Sequence, residues 1–196
     1  MTLVLGASDV AAALEDVDVL EAVEAVHADL GAGRMQQPAP VALTGADDAL
    51  FLPMAVRSDR LGLVAVKLMA DIPHNASRGL PTQRSSILVS SAMTGECLGV
   101  LDGKDITRAR TAAASVVATQ HLARSHSTTL GFVGAGNLAV EHLRAFAKVR
   151  SFERVLLWSR SAATTGRFLE TVGDDLAQRC TVVGGPRQVA EECDVL

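Results

Sequence analysis

A glycine-rich turn, Gly134-x-Gly136-x-x-Ala139, is the sequence feature that most constrains the fold of this chain. It follows a short apolar run with strand character and opens a segment with helical periodicity. In this context Gly134 allows a tight turn, Gly136 lets the backbone approach a pyrophosphate, and Ala139 lets the helix pack close to the strand. The free amide groups at the start of such a helix favour phosphate binding. The pattern predicts a dinucleotide-binding turn, and the alternative is a strand–turn–helix without a ligand.

Strand-like and helical segments alternate around this turn. The sequence predicts strands over residues 129–133, 154–158 and 180–183, and helices over residues 138–149, 162–176 and near Gln188. This alternation is typical of a parallel sheet with crossover helices, so residues 126–196 are predicted to form a Rossmann-type domain. Because residues 193–196 have the character of a further strand, we expect the domain to be truncated and the chain to be a fragment of a longer protein.

Residues 1–125 are organised differently, with helical patterns first and strand pairs after them. Ser8 is expected to cap a short helix that ends at Leu14, and Asp18 with Glu21 predicts the start of a second helix over residues 19–30. The apolar residues of this second helix recur at helical spacing and are expected in the core: Leu20, Val23, Val26 and Leu30.

Two strand pairs follow these helices. The predicted strands cover residues 50–56, 61–69, 86–90 and 97–101, with turns at residues 57–60 and 93–96 and a loop over residues 71–84. An Ala-rich helix is predicted over residues 106–123. The sequence therefore predicts the α/β class for the whole chain, with an N-terminal α+β domain over residues 1–125 in which two helices lie on an antiparallel sheet.

Composition argues against several classes of partner. The net charge of −4 is spread along the chain and aromatic residues make up 3%, so neither nucleic acid nor a membrane surface is expected as a partner. No segment reaches the roughly 18 apolar residues of a membrane helix. The N-terminus lacks the pattern of a signal peptide, and a cytoplasmic location is expected. The cysteines form no Cys-x-x-Cys pair, which indicates reduced thiols and no metal site: Cys97, Cys180 and Cys193.

The end of the second predicted strand of the Rossmann-type domain indicates the type of dinucleotide. An NAD-preferring site usually places Asp or Glu there to bind the ribose 2′-hydroxyl. This chain has Ser159, Arg160 and Ser161 instead. An arginine with two hydroxyl groups suits a 2′-phosphate, so NADP is the expected cofactor, with NAD possible. The alternative is that Arg160 is a solvated residue at the start of a helix.

Several motifs together resemble the ornithine cyclodeaminase/mu-crystallin family over nearly the whole chain. The resemblance implies a substrate and dimerisation domain over residues 1–125, followed by the Rossmann domain, and a homodimer. It also implies hydride transfer between a nicotinamide and the α-carbon of a small amino or imino acid. The motifs that carry the resemblance are Lys67, Pro73-x-Asn75, Gly79-Leu80-Pro81-Thr82, Leu101-Asp102-Gly103-x-x-Ile106-Thr107-x-x-Arg110-Thr111-Ala112-Ala113 and the glycine turn.

The resemblance assigns roles to the residues that match these motifs. It implies that Lys67 is the catalytic lysine and binds the substrate together with Arg110. A partly buried lysine can polarise a carboxylate or shuttle a proton, and an arginine can hold a carboxylate in a bidentate pair. From pattern alone, both would be solvated surface residues. Asn75 either binds the substrate or orients its loop. Cofactor contacts are implied for Thr82, Arg110, Gly134, Ala135, Gly136, Asn137, Leu138, Ala139, Ser159, Arg160 and Ser161.

Two positions depart from the family pattern. The family usually has an arginine two residues after the proline that follows the first long helix, whereas this chain has Pro40 there. Arg34 is the candidate to replace that arginine in binding the substrate carboxylate. Leu138 stands where the family usually has glutamine, which removes a polar contact near the phosphates.

Three functions are compatible with the resemblance. The first is an NAD(P)-dependent reductase of the ketimine or pyrroline-2-carboxylate type. The second is an ornithine cyclodeaminase, which converts L-ornithine to L-proline and ammonia with bound NAD. The third is a non-catalytic binding protein similar to mu-crystallin. The carboxylate that assists ammonia loss in cyclodeaminases is expected beyond residue 196, and a chain ending there is expected to be inactive.

Overall fold

The computed structural model describes residues 1–196, which form two compact units. The first unit covers Met1–Thr107 and the second covers Arg108–Leu196. The break lies inside the long helix Lys104–Leu122, earlier in the chain than the predicted boundary between residues 125 and 126, because this helix belongs to both units. The functional domains 1–125 and 126–196 stay a prediction.

The first unit is built on one seven-stranded sheet. Its strands are β1 (Leu3–Leu5), β2 (Met35–Gln36), β3 (Leu43–Thr44), β4 (Leu50–Ser58), β5 (Leu63–Asp71), β6 (Gln83–Ser91) and β7 (Cys97–Asp102). The order is β1-β7-β6-β5-β4-β2, and β3 also pairs with β4. All pairs are antiparallel except β1 with β7. The antiparallel sheet is therefore confirmed, and β1 is a parallel strand that the sequence did not predict.

The first hairpin turns later than predicted. β4 continues through Ser58, so the turn lies at residues 59–62 rather than at residues 57–60. Gly62 has φ +63°, a left-handed conformation that favours glycine and closes the turn. The Ser58 hydroxyl accepts a hydrogen bond from the Leu61 amide at 3.2 Å. The loop predicted over residues 71–84 is shorter, because β5 and β6 extend into it and Pro73–Arg78 forms a 3₁₀ helix.

Two helices precede most of this sheet, α1 (Ala7–Glu15) and α2 (Val19–Gly31). The start of α2 is as predicted, since the Asp18 side chain accepts a hydrogen bond from the Glu21 amide at 3.0 Å. The predicted cap of α1 is wrong. Gly6 precedes the helix, its amide donates to Asp9 Oδ2 at 2.9 Å, and Ser8 lies within the first turn.

The predicted core stripe of α2 is only partly buried. Leu30 is 41% exposed, the residues at positions 20, 23 and 26 are half-buried, and the buried residue of the helix is Asp29. α2 packs against β2, an edge strand of two residues, which is too short to cover the apolar side of a helix.

The second unit alternates strands and helices, as predicted. It contains most of α3 (Lys104–Leu122), then β8 (Thr129–Val133), α4 (Asn137–Val149), β9 (Arg154–Trp158), α5 (Ala162–Val172), α6 (Asp174–Ala177), β10 (Cys180–Val182) and α7 (Pro186–Glu192). The three strands are parallel in the order β10-β9-β8. The helix predicted over residues 162–176 is divided at Gly173, which has φ +89°. The α/β class is confirmed.

The core of the second unit is centred on β8 and β9, where Leu130, Leu156 and Leu157 are fully buried. Gly131 of β8 lies directly under α7 and the residue that follows it. A Cβ atom at Gly131 would be 2.6 Å from Val189 Cγ1 and 2.8 Å from Cys193 Sγ. The close approach of this helix to the strand therefore depends on the absence of a side chain at position 131.

The residues after α7 return to β8. Val195 forms a parallel bridge with Leu130, in agreement with the predicted strand character of residues 193–196. The Asp194 carboxylate accepts hydrogen bonds from the amides of Thr129 and Thr128, at 3.0 and 2.8 Å. These two bonds hold the pKa of the Asp194 carboxyl below its usual value.

Candidate functional site

The glycine turn between β8 and α4 uses its two glycines for different reasons. Gly134 has φ +122°, a conformation that other residues rarely adopt, and its amide donates to the Trp158 carbonyl at 2.8 Å. Gly136 has φ −79°, which any residue can adopt, and a Cβ atom there would meet nothing within 4 Å. The fold therefore requires glycine at position 134, whereas nothing within the chain requires it at position 136.

The open space at Gly136 lies at the N-terminus of α4. Gly136 precedes the helix, and its carbonyl accepts the Ala139 amide at 2.9 Å. The amides of Asn137 and Leu138 begin the helix and make no hydrogen bond within the chain. Ala135 is buried, whereas Leu138 is 43% exposed. Exposed amides beside a position without a side chain fit a dinucleotide pyrophosphate.

The turn shares a groove with the residues that follow β9. The groove has a volume of about 400 Å³. No Asp or Glu lines it, and Arg160 is exposed and makes no ion pair within the chain. The donor set fits a phosphate better than a neutral ribose hydroxyl. The lining residues are Val133, Gly134, Ala135, Gly136, Trp158, Ser159, Arg160, Ser161 and Thr164.

The hydroxyl of Ser161 is oriented by the start of α5. Ser161 caps this helix, and its Oγ accepts a hydrogen bond from the Thr164 amide at 3.3 Å. A serine hydroxyl that accepts this bond still has its own proton to donate. The cap therefore leaves Ser161 able to donate toward an anion in the groove.

A second cavity, of about 480 Å³, lies on the side of β8 that pairs with Val195 and also borders the glycine turn. His142 of α4 is the titratable group in its lining, and sequence reasoning gave this residue no role. Its Nδ1 lies 2.7 Å from the Leu138 carbonyl and its Nε2 lies 3.0 Å from Ser115 Oγ. Because a carbonyl only accepts, Nδ1 donates to Leu138, and Nε2 is within hydrogen-bond distance of the Ser115 hydroxyl. Both ring nitrogens are thus engaged within the second unit.

Lys67 of β5 is not a freely solvated lysine. Its ammonium donates to Thr107 Oγ1 at 3.1 Å, and Thr107 Oγ1 lies 3.3 Å from Ser85 Oγ. Lys67 is half-buried, whereas its neighbours Val66 and Leu68, on the other face of the sheet, are exposed. Lys67 is therefore not the solvated surface lysine that its pattern alone would indicate. Its role toward a substrate stays a prediction.

Asn75 stabilises the loop between β5 and β6. Its side-chain amide is buried and donates to the Pro81 carbonyl at 3.0 Å, and its own carbonyl accepts the Leu80 amide at 3.0 Å. The Ile72 amide donates to the Thr82 carbonyl at 2.8 Å, which closes the loop from its two ends. These contacts support the loop-orienting alternative for Asn75.

Arg34 forms an ion pair within the first unit. Its Nε donates to the Asp29 carboxylate at 2.9 Å, and Arg60 binds the other oxygen of the same carboxylate. The guanidinium groups of Arg60 and Arg34 hold the pKa of the Asp29 carboxyl below its usual value. The Asp29 carboxylate thus connects α2 with Arg60 in the turn after β4, and its second ion pair gives Arg34 a structural role. Its predicted role toward a substrate carboxylate stays a prediction, as does that of Arg110, which is exposed on α3.

Comparison with known proteins identifies the family. The profile of the ornithine cyclodeaminase/mu-crystallin family matches residues 1–196. The chain belongs to this family. It is 30% identical over 148 residues to a Δ(1)-pyrroline-2-carboxylate reductase from Bacillus cereus, which covers 76% of this chain and 45% of the relative. It is 31% identical over 145 residues to the ketimine reductase mu-crystallin of Mus musculus, which covers 74% and 46%. The chain thus spans about half the length of these relatives.

Solved structures share the fold of this family member. The Δ(1)-pyrroline-2-carboxylate reductase of Thermococcus litoralis, in complex with NADH and L-proline, has a TM-score of 0.89 at 31% identity and covers 98% of this chain and 60% of its own. A lysine cyclodeaminase has a TM-score of 0.85 at 29% identity, covering 98% and 58%. An archaeal alanine dehydrogenase dimer with bound NAD has a TM-score of 0.84 at 26% identity, covering 93% and 56%.

None of the helices is both long enough and apolar enough for a membrane span. No group of three or more His, Cys, Asp or Glu side chains is arranged to hold a metal ion.

Proposed function

We propose that the protein is an NADP-dependent reductase of an imino acid, of the ketimine or pyrroline-2-carboxylate type. One observation carries the proposal: the glycine turn and Ser159–Ser161 line the same groove, which contains an arginine and hydroxyl groups but no carboxylate. The identity of 30% to a Δ(1)-pyrroline-2-carboxylate reductase supports the same class of substrate.

The residues of this chain would hold the cofactor and the substrate. The amides at the start of α4 would bind the pyrophosphate, and Arg160 with Ser159 and Ser161 would bind the 2′-phosphate. The bound nicotinamide supplies the hydride for the carbon of the C=N bond. Lys67 and Arg110 would bind the carboxylate of the imino acid, which fixes the orientation of the C=N bond. The Lys67 ammonium also has protons that it can donate.

The expected preference for NADPH can be tested at Arg160. Replacing Arg160 with glutamine removes a charge-assisted hydrogen bond of about 1.5–3 kcal/mol, so NADPH should bind roughly 10- to 100-fold more weakly. The affinity for NADH should stay within about threefold, because NADH has no 2′-phosphate. Fluorescence titration of both nucleotides measures the two dissociation constants. Arg187→Gln on α7 is the matched control, since this arginine is 88% exposed and pairs with Glu191. Equal losses for NADPH and NADH would contradict the assignment of Arg160.

Turnover tests the reductase function itself. We expect the full-length protein to oxidise NADPH in the presence of Δ(1)-pyrroline-2-carboxylate. Replacing Lys67 with alanine should lower kcat/KM at least 100-fold while leaving the NADPH dissociation constant unchanged, because Lys67 is proposed to contact only the substrate. Lys104→Ala, at an exposed position of α3, is the control. The proposal fails if neither this imine nor a keto acid with an amine leads to oxidation of NADPH.

Two other functions remain as alternatives. The similarity to a lysine cyclodeaminase favours a cyclodeaminase, in which NAD would stay bound through the cycle. Formation of proline and ammonia from L-ornithine without net change in NADH identifies this reaction. A non-catalytic binding protein would bind a nucleotide and show neither reaction.

A homodimer and a cytoplasmic location are also proposed. One face of the first unit's sheet exposes apolar side chains from β5 and β6, with Val66 directly opposite Leu88. This apolar face supports dimerisation through the sheet, and the archaeal alanine dehydrogenase that shares the fold is a dimer.

A further inference from the structure

Three polar side chains form a connected chain inside the first unit. The Lys67 ammonium of β5 donates to Thr107 Oγ1 at 3.1 Å, and Thr107 Oγ1 lies 3.3 Å from Ser85 Oγ of β6. The cross-strand neighbours of Lys67 are apolar, Met54 on one side and Ile87 on the other. The hydroxyl of Thr107 therefore gives the ammonium a polar partner on a face of the sheet where its strand neighbours offer none.

Gly103 makes room for this arrangement. A Cβ atom at Gly103 would be 2.2 Å from Ser85 Oγ, far inside van der Waals contact, and 3.0 Å from the Ser85 carbonyl oxygen, which is a tight contact. The amide of Gly103 donates to the same Ser85 carbonyl at 2.8 Å, and the carbonyl of Gly103 accepts the Thr107 amide at 2.9 Å. One glycine thus connects β6 with the first turn of α3 and brings the two hydroxyl groups together.

The chemistry of the three groups fixes the direction of the main contact. An ammonium only donates, so Thr107 Oγ1 is the acceptor of the Lys67 bond. The side chain of threonine is branched at Cβ and has few χ1 rotamers, so its oxygen is a well-defined anchor. One of the three ammonium protons is used in this bond, and the flexible stem of the lysine is held at its end.

We propose that Thr107, supported by Ser85, is a positioning residue that holds the Lys67 ammonium in place for the carboxylate of the substrate. The proposal rests on the proposed function for the role of Lys67 toward the substrate. It goes beyond that function, because it assigns a role to Thr107 and Ser85. It also explains why position 103 is glycine.

A spectroscopic test follows from the small number of lysines. The chain has three, Lys67, Lys104 and Lys148, and the other two are exposed. In protein labelled with ¹⁵N-lysine, at low temperature and slightly acidic pH, the hydrogen-bonded Lys67 ammonium should give a slowly exchanging side-chain signal. Thr107→Val should remove or broaden this signal, and Thr107→Ser should retain it. An unchanged Lys67 signal in the valine variant would overturn the proposal.

The variants are first compared by their backbone amide spectra, which report the fold. If Thr107→Val does not fold, the comparison is made between Thr107→Ala and Thr107→Ser, because alanine is the most favourable residue in a helix. The Lys104 and Lys148 signals are internal controls and should not change in any variant. A loss of all three signals together indicates a general change in the protein and counts against a specific contact.

Kinetics separate this proposal from the proposed function. Thr107→Val should raise KM for the imino acid about 10-fold with little change in kcat or in the NADPH dissociation constant, because it loosens a substrate-binding group. Thr107→Ser should restore KM to within about threefold of the original value. An altered Lys67 signal without turnover in any form of the protein would reject the reductase function while leaving the contact established. Normal turnover with an unchanged KM in Thr107→Val would reject the positioning role.

Discussion

Replacing Gly136 with alanine is expected to weaken NADPH binding by roughly 100-fold, which corresponds to about 2.7 kcal/mol. Position 136 has an ordinary φ of −79°, and an added Cβ atom meets nothing in the protein within 4 Å. The same atom would occupy the space through which a pyrophosphate reaches the first amides of α4. The substitution should therefore affect the ligand far more than the protein.

The stability of the variant distinguishes this effect from unfolding. Gly136 is the N-cap of α4, and alanine is a poorer cap than glycine, so a loss of about 0.5–1 kcal/mol is expected. Gly134→Ala is the informative contrast, because φ +122° strains any side chain and should destabilise the unit by about 1–3 kcal/mol. Isothermal titration with NADPH measures the affinity of each variant, and thermal denaturation measures its stability. An unchanged NADPH affinity in Gly136→Ala would show that the dinucleotide does not bind at this turn.

Replacing Gly131 with alanine is expected to lower the free energy of unfolding of the second unit by about 1–3 kcal/mol. The new methyl group would be 2.6 Å from Val189 Cγ1 and 2.8 Å from Cys193 Sγ. Val189 is fully buried, so it cannot move aside into solvent. The substitution should instead push α7 and the residues after it away from β8, which also weakens the hydrogen bonds that the Asp194 carboxylate accepts from the start of that strand.

The matched control for this substitution is Gly166 in α5. A Cβ atom there meets nothing within 4 Å, and alanine is the better helix former, so Gly166→Ala should raise the free energy of unfolding by about 0.5–1 kcal/mol. Urea denaturation of the unsubstituted protein, Gly131→Ala and Gly166→Ala measures the three free energies of unfolding in the same way. Equal stability of Gly131→Ala and the unsubstituted protein would show that α7 does not pack closely on β8.

The strands around the glycine turn could be predicted from local sequence. Residues 129–133 and 154–158 have the bounds of β8 and β9, because each is a compact apolar run followed by strong turn chemistry. The turn after β4 was misplaced because its position depends on the left-handed conformation of Gly62. β1 was missed because a strand of three residues is formed only by pairing with β7, which lies almost a hundred residues further along the chain.

The candidate site likewise has one part that local sequence predicts and another part that it does not. The glycine turn and Ser159–Ser161 are local patterns, and they line one groove because the parallel neighbours β8 and β9 end at the same edge of the sheet. The contact between Lys67 and Thr107 could not be predicted, because it depends on the start of α3 relative to β5, forty residues apart. One indirect signal of this contact was present in the sequence. Gly103 and Thr107 both belong to the motif that resembles the family, but the pattern alone assigns no role to either residue.

The bridge between Leu130 and Val195 bears on which residue types the glycine turn can accept at its phosphate-facing positions. β9 and β10 lie on one side of β8, whereas Val195 pairs on the other side, so the strand order reverses at β8. The carboxyl end of β8 is thus a topological switch point, the place where open α/β sheets bind their ligands. At such a point the groups offered to a phosphate are main-chain amides, which every residue type except proline supplies. The departure from the family pattern at Leu138 therefore leaves the main-chain amide of this residue available as a donor.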